Sequence, residues 1–373
     1  MSKNQQFNFS TYGAKVNADH VQRLLEHVTQ QHLSGTETRR PTPVCIWGLH
    51  GIGKTELVRD FAHNQGFQFV YIAPAQFEEM GDLLGMPRIA HANANDTTQF
   101  AAPDWVPTTP GPGIFLIDDV NRADDRILRG IMQLLQNYEL VSWRFPPGWM
   151  IVLTANPDGG DYSVSAMDDA MLTRMMHVTM EFDVKTWARW AEGAGIDPRG
   201  INFVLTYPEI VSGSRTTPRS LVQFFHALAP IKDLRANLDL VKILGDGCLD
   251  ESTTVAFITF INMDMDKLIP PEEILNAPNF QVIEGQLKEL VDGTTKRMDI
   301  LSVMMTRLTN HLLNMKEELK AKAFENLQAF ILLPFIPNDL RLAMAQELVS
   351  STNKSLKKLY GIPAIAKLLL TKM

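Results

Sequence analysis

The stretch Gly48-Leu49-His50-Gly51-Ile52-Gly53-Lys54-Thr55 constrains this chain more than any other, because it satisfies the pattern G-x-x-x-x-G-K-[ST]. Glycines stand where the backbone must turn tightly and present its N–H groups to phosphate oxygens. Lys54 is then placed to reach the outer phosphates, and the Thr55 hydroxyl to ligate Mg²⁺. The flanks fit that mechanism. Pro43-Val44-Cys45-Ile46-Trp47 reads as a short buried strand, and Thr55-Glu56-Leu57-Val58-Arg59-Asp60-Phe61 as a helix. Such a helix aims its N-terminal amides and the positive end of its dipole at an anion. The binding set expected from this segment is Gly48, His50, Gly51, Ile52, Gly53, Lys54, Thr55 and Glu56.

Composition sets outer bounds. A chain of 373 residues has room for two or three domains with a substantial core, and 45% hydrophobic with 21% charged residues is ordinary for a soluble globular protein. Met1-Ser2-Lys3-Asn4-Gln5-Gln6 has no apolar core of a secretory signal, and the longest apolar run, Ala329 to Ile336, is short and broken by Pro334. Cys45 and Cys248 lie far apart and give no metal or redox spacing; Cys45 falls in a predicted strand and reads as a buried, inert thiol. Together these features lead to the expectation of a cytoplasmic protein that makes no contact with a membrane. The net charge of −7 argues against broad nucleic-acid binding by bulk electrostatics. Lys354, Lys357, Lys358, Lys367 and Lys372 form a local exception, which reads as the solvated face of a helix.

Along the chain, a helix is predicted over Ala18 to Leu33, followed by the polar linker Ser34-Gly35-Thr36-Glu37-Thr38. From 41 to about 181 short apolar runs alternate with helical patterns, the signature of a parallel sheet covered by helices. The predicted strands are Val44–Trp47, Gln68–Ile72, Gly113–Ile117, Met150–Thr154 and His177–Met180. The predicted helices are Lys54–Asn64, Ala75–Leu84, Asp124–Gln136 and Ala166–Thr173. Gly85 to Gly111 is too long and polar for a simple connection. A hairpin of Pro87–Ala90 with Thr98–Ala101, turning at Asn93-Ala94-Asn95-Asp96, fits it, and Leu140–Phe145 with Pro146-Pro147-Gly148 suggests a second. The rest reads as mainly helical, with helical spacing over Ile300–Leu313 and Leu340–Leu348.

Four further elements complete a constellation. Gly113-Ile114-Phe115-Leu116-Ile117-Asp118-Asp119 is an apolar strand ending in two carboxylates. The first, Asp118, is suited to hold Mg²⁺ through its water shell, and the second, Asp119, to orient or deprotonate an attacking water. Ile151-Val152-Leu153-Thr154-Ala155-Asn156 ends in an amide that can stand beside a terminal phosphate. Met171-Leu172-Thr173-Arg174 closes a helix, and Thr217-Pro218-Arg219-Ser220 opens one.

Taken in order, these elements resemble the AAA+ ATPases, and within them the MoxR-like group related to chelatase and dynein-type modules. The resemblance rests on Gly48–Thr55, on Ile117-Asp118-Asp119-Val120-Asn121-Arg122-Ala123, on Thr154-Ala155-Asn156-Pro157 and on Thr217-Pro218-Arg219-Ser220. Asp82-Leu83-Leu84-Gly85-Met86-Pro87 and Gln99-Phe100-Ala101-Ala102-Pro103-Asp104-Trp105 also look like that group, so the similarity covers about 41 to 275. It implies an α/β P-loop core with a parallel sheet over 41–181, a helical lid over 182–275 and a helical extension over 276–373, after an N-terminal segment over 1–40. It implies Lys54 and Thr55 as the Walker A pair, Asp118 and Asp119 at the Walker B positions, Asn156 as sensor 1 and Arg219 as sensor 2. Arg174 matches the arginine finger, delivered in a ring to the neighbouring subunit's γ-phosphate and contributing on the order of 10³–10⁵ in turnover in enzymes that use one. ATP with Mg²⁺, bound between sheet domain and lid, and a homo-oligomeric ring, often a hexamer, follow from the resemblance. So does a protein partner that is remodelled, in relatives commonly one with a von Willebrand A domain. The insert near 85–101 and the hairpin near 140–148 are segments that in such rings line the pore or face the partner, or else pack against neighbouring subunits.

Two departures from the family pattern stand out. Asp119 occupies a position where glutamate is usual, one methylene longer, and Leu49-His50 stands where many relatives carry Pro-Pro. The latter faces away from the bond-making groups and reads as neutral. The shortened carboxylate keeps open an ATP-bound switch or scaffold with very slow turnover. The lysine-rich tail keeps open a DNA-directed AAA+ protein such as a helicase loader.

Overall fold

The structure is a computed structural model, and it describes residues 12–34, 40–92, 95–157, 165–212, 215–263, 268–292, 298–315, 317–351 and 353–370. The linker residues 35–38, the hairpin turn at Asn93-Ala94, the opening Met1–Gln6 and Lys372 lie outside the described residues. The chain divides into two compact units, residues 1–183 and 184–373.

The first unit opens with β1 (Ala14–Val16), α1 (Ala18–Ser34), β2 (Val44–Trp47), α2 (Lys54–Asn64), β3 (Gln68–Ile72) and α3 (Met80–Leu84). It continues with β4 (Met86–Ala92), β5 (Asn95–Ala101), β6 (Gly113–Ile117) and α4 (Asp125–Asn137). It ends with β7 (Glu139–Leu140), β8 (Trp143–Arg144), β9 (Trp149–Ala155), α5 (Asp169–Leu172) and β10 (Met176–Met180). Six of these strands form one parallel sheet in the order β1-β10-β2-β9-β6-β3. The three central strands β2, β9 and β6 are buried along their whole length, because helices cover both faces and leave no side that tolerates polar residues. The period-two alternation divides their side chains between two cores. Val44, Ile46, Ile114, Leu116, Met150 and Val152 pack with Val21 and Leu25 of α1 and Val58 and Phe61 of α2. Cys45, Trp47, Phe115, Ile117, Ile151 and Leu153 face Ile127, Ile131 and Leu134 of α4 and the aromatic residues of the second hairpin. Burial in that second core pushes the Cys45 thiol far up, as an inert thiol requires.

The five predicted strands are present, with β9 and β10 a residue or two longer than expected. Three features differ from the sequence reading. The helix expected over Ala166–Thr173 is the single turn α5, because Asp168 caps it by accepting the Met171 N–H at 2.7 Å. The sheet has a sixth member, β1, which pairs with β10 at Ala14↔Val178 through Val16↔Met180. The helix expected over Ala75–Leu84 is instead a 3-10 turn at Pro74–Gln76 and a separate helix α3. Asp82 accounts for the break: its carboxylate accepts the backbone N–H groups of Glu78 and Glu79 at 2.9 and 3.0 Å, capping a fresh helix start. Those bonds hold its carboxyl below the usual range. Both hairpins form, β4 against β5 with Pro87 opposite Phe100, and β7 against β8. They are joined by the Phe100 N–H donating to Ser142 Oγ at 3.0 Å.

The second unit is helical throughout its described residues. It begins with α6 (Val184–Gly193), α7 (Pro198–Thr206), α8 (Pro218–Leu228), α9 (Leu238–Cys248) and α10 (Glu251–Asn262). Its core gathers Phe203, Phe224, Phe225, Phe257 and Phe260, all fully buried, with edge-to-face pairs such as Phe203 with Phe257 at 4.9 Å. Further helices include Met298–Asn314 and Asn338–Ser350, at the two segments with helical spacing. Lys354, Lys357, Lys358 and Lys367 are exposed, while Leu356, Leu359 and Ile365 between them are buried, so the lysines line the solvated side of short amphipathic turns.

Candidate functional site

The site grows from the ends of three adjacent strands. Trp47 ends β2, and the chain then turns through Gly48, Gly51 and Gly53 at φ 156°, 71° and 95°. A Cβ at position 48 would meet the Met180 carbonyl oxygen at 2.6 Å, so the close approach as well as the backbone angle requires glycine. The Gly48 N–H donates to the Ala155 carbonyl at 3.2 Å, tying the loop to the end of β9. Helix α2 starts immediately after Gly53, which supplies no side-chain cap, so the first amides of the helix are left to whatever the loop encloses.

Lys54 is only 5% exposed. Its ammonium donates to the Gly48 and Leu49 carbonyls at 2.7 and 3.0 Å and to Asn156 Oδ1 at 3.2 Å. The other end of the same amide, Asn156 Nδ2, donates to Asp119 Oδ1 at 2.9 Å. Asn156 therefore stands between cation and carboxylate with each end turned to its complement. One residue on from β6, Asp118 Oδ1 accepts the Thr55 hydroxyl at 2.7 Å and the Thr154 hydroxyl at 2.6 Å. The Thr154 oxygen in turn accepts the Asp119 N–H at 2.8 Å. Tyr71, at the end of β3, donates its hydroxyl to Asp118 Oδ2 at 3.2 Å.

Asp119 itself sits at φ 47°, ψ 45°, a left-handed conformation that aspartate adopts more readily than most side chains. Its second oxygen lies 3.4 Å from Arg122 Nε, so both sides of the carboxylate are engaged. The neighbouring turn is fixed by Asn121, fully buried, whose amide donates to the Asn156 carbonyl at 2.7 Å and accepts the Asn156 N–H at 3.1 Å. Replacing Asn121 with alanine leaves that N–H and C=O unpaired inside the protein. An unmade buried hydrogen bond costs about 1–3 kcal/mol, so about 2–3 kcal/mol is expected for the pair. At about 2–4 °C per kcal/mol, thermal unfolding of the Asn121→Ala chain should come about 5–10 °C lower.

Lys54, Thr55, Asp118, Asp119 and Asn156 are thus brought together as one hydrogen-bonded set. Of the remaining loop residues, Ile52 packs into the core beside α2, Glu56 pairs outward with Arg59 at 2.7 Å, and His50 is half-buried. Arg174 is not part of the set. Among the described residues, its guanidinium donates to Gln136 Oε1 of α4 at 3.1 Å and to the Ala170 carbonyl of α5. Arg219 belongs to the second unit, exposed near the start of α8. That start is held by the Thr217–Ser220 capping box and by Thr216, whose N–H donates to Asp250 Oδ2 at 3.1 Å.

Sequence reasoning gave no role to Tyr71, Thr154 or Asn121. For the last two a signal existed, since both lie within motifs ending or following apolar strands; for Tyr71, an aromatic in an edge strand, none did. It also missed His177. The indole of Trp47 is a donor only, so His177 Nδ1 accepts it at 3.0 Å and Nε2–H donates to the Leu172 carbonyl at 2.7 Å. The strand entering the loop is thereby tied to the helix preceding Arg174.

The donor set fits a nucleotide-borne Mg²⁺: one hydroxyl beside one carboxylate, both hard oxygen ligands. Magnesium is commonly held by one or two carboxylates plus substrate phosphates. Among the described residues there is no cluster of three or more His, Cys, Asp or Glu to cage an ion by itself.

Residues 43–175 match the family model of the AAA domain (dynein-related subfamily). An ATP-dependent protease ATP-binding subunit-like protein from Rhodococcus erythropolis is 30% identical over 128 residues, which are 32% of this chain and 36% of that protein. The chain therefore spans about a third of the length of that curated relative. Among solved structures, a RuvB variant of Thermotoga maritima covers 84% of this chain and 96% of its own, with 15% identity and a TM-score of 0.40. The Thermotoga maritima RuvB Holliday junction branch migration motor covers 83% and 94%, with 15% identity and a TM-score of 0.37. Scores that low support no inference about activity.

Proposed function

We propose that the first unit binds ATP with Mg²⁺ and hydrolyses it, and that the chain acts as a ring-forming remodelling ATPase of MoxR type on a protein partner. The observation that carries this reading is the single hydrogen-bonded set of Lys54, Thr55, Asp118, Asp119 and Asn156 beside the glycine loop. The family match over 43–175 supports it. In this reading the loop amides and Lys54 hold the β- and γ-phosphates, while Thr55 and Asp118 hold the ion that neutralises developing charge. Asp119 takes a proton from the attacking water as the water oxygen bonds to the γ-phosphorus and the bond to ADP breaks; Asn156 orients that water. Arg174 and Arg219 complete the charge around the γ-phosphate. Arg174 does so for the adjacent copy, which accords with its present contacts on α4 and α5 rather than on the loop.

The two hairpins supply the partner-facing surface in this reading. Met86, Ile89 and Val141 are 73%, 66% and 65% exposed, so in this reading the hairpins present apolar side chains to the partner. A cytoplasmic setting and a von Willebrand A partner belong to the same proposal.

A second reading, an ATP-bound switch with very slow turnover, draws support from Asp119. Its carboxylate is short and already engaged by Asn156 and Arg122. Phosphate release by purified protein, measured with and without Mg²⁺ alongside ATP binding, separates the cases. Mg²⁺-dependent turnover that falls at least about 100-fold in Asp119→Asn, with ATP still bound, supports the remodeller. Tight binding with turnover unchanged by that substitution favours the switch, and no binding at all contradicts both.

A further inference from the structure

Tyr71 is the residue of this cluster whose presence nothing in the phosphate-loop pattern calls for. It stands on β3, the edge strand of the sheet, paired with Leu116 of β6. Alternation along β3 sends Val70 and Ile72 to the α4 side of the sheet, while Phe69, two residues before Tyr71, packs on the α1–α2 side. Tyr71 shares that second side, where Thr55 lies in the first turn of α2. The chain leaves β6 with the Asp118 N–H on the Ile72 carbonyl at 2.8 Å, which brings the Asp118 side chain alongside the end of β3. The Tyr71 hydroxyl closes the gap at 3.2 Å, on the oxygen that Thr55 and Thr154 leave to it.

The ring is 42% exposed, too open for its position to be explained by core packing alone. A carboxylate oxygen only accepts, so in this contact the Tyr71 hydroxyl is the donor. Asp118 is consequently gripped at both oxygens: two threonine hydroxyls on Oδ1 fix one edge of the carboxylate, and Tyr71 fixes the other. A carboxylate held at one oxygen alone can rotate about its side-chain torsion. One held at both presents a fixed plane.

We propose that Tyr71 is a positioning residue for the Mg²⁺ site, setting the orientation in which the Asp118 carboxylate meets the water shell of a nucleotide-bound ion. The inference rests on the ATP-binding reading above and adds to it a residue on β3, a strand that leads into neither the glycine loop nor Asp118. It also distinguishes Tyr71 from a residue that merely seals the edge of the sheet, because only the hydroxyl is needed.

The test is Tyr71→Phe in the full chain, which keeps the ring and removes the hydroxyl. Binding of a fluorescent ADP analogue is titrated with Mg²⁺, and separately measured in EDTA. The expected result is a threefold to tenfold rise in the Mg²⁺ concentration giving half-maximal enhancement of binding, the size of shift expected for one partly exposed hydrogen bond to a charged group. Affinity in EDTA and the melting temperature should stay as in the wild type. An unchanged Mg²⁺ dependence overturns the proposal, as does a loss of affinity equal in EDTA and in Mg²⁺, which would mark a structural role. A wild-type chain that binds no nucleotide overturns this inference together with the reading it rests on. A wild type that binds with Mg²⁺ dependence, beside an unaltered variant, overturns this inference alone.

Discussion

Replacing Lys54 with alanine should reduce ATP hydrolysis to background, a loss of at least about 100-fold, and weaken ATP binding with it. The ammonium is nearly buried, with two loop carbonyls and the Asn156 amide oxygen as acceptors. A phosphate chain entering the loop brings full negative charge against that nearly buried cation, where charge–charge attraction is strong. Removing a single preorganised donor from a site of developing negative charge costs about 10²–10³ in turnover elsewhere, and here the lost donor also carries full charge. Alanine further deprives Asn156 Oδ1 of its donor, which loosens the amide that holds Asp119. Lys54→Met retains most of the stem and separates the two effects. The same loss of activity with an unchanged melting temperature assigns it to the charge.

Replacing Arg174 with alanine should lower turnover by about 10²–10³ or more while changing ATP affinity less than about threefold. The split follows from where the side chain is. Its partners are Gln136 and the Ala170 carbonyl, and among the described residues it bonds to none of Lys54, Thr55, Asp118 or Asp119. A residue outside the cluster of its own chain contributes little to holding nucleotide there. Comparing the turnover number with the dissociation constant for ATP reads the split directly, and a parallel loss in both would place Arg174 in its own chain's site instead.

The cluster was largely legible in the sequence because Lys54 and Thr55 lie in the glycine-loop pattern while Asp118, Asp119 and Asn156 follow directly on strands, and strands buried on both faces announce themselves as unbroken apolar runs. Val44–Trp47, Gly113–Ile117 and Ile151–Thr154 are such runs, so Asp118, Asp119 and Asn156 could be placed beside Lys54 without a structure. β1 escaped because Ala14-Lys15-Val16 is short, exposed at the edge and recognisable only through its pairing with β10, more than 160 positions away. The broken helix at 75–84 escaped for a local reason: an aspartate three residues after Glu79 competes for backbone N–H groups, and apolar periodicity carries no record of that competition. Tyr71 and the Trp47–His177 link depend on which strands are neighbours. That information lies in sheet order, not in spacing along the chain. Arg174 is a harder case still, since its contacts within the chain, Gln136 and the Ala170 carbonyl, say nothing of a role at the phosphate site.

The central claim is that each ATP site is finished by a second copy of the chain, and mixing two inactive variants tests it most directly. Lys54→Ala keeps its arginine to lend but has no working loop; Arg174→Ala keeps the loop but has nothing to lend. Alone, each should release phosphate at background rate. Combined in equal amounts and allowed to exchange subunits, a random ring places an intact loop beside an intact Arg174 at about a quarter of its interfaces. Phosphate release should then return to about that fraction of the wild-type rate. A mixture that co-assembles, shown by retention of an untagged variant on a tagged one, yet stays at background would contradict the claim.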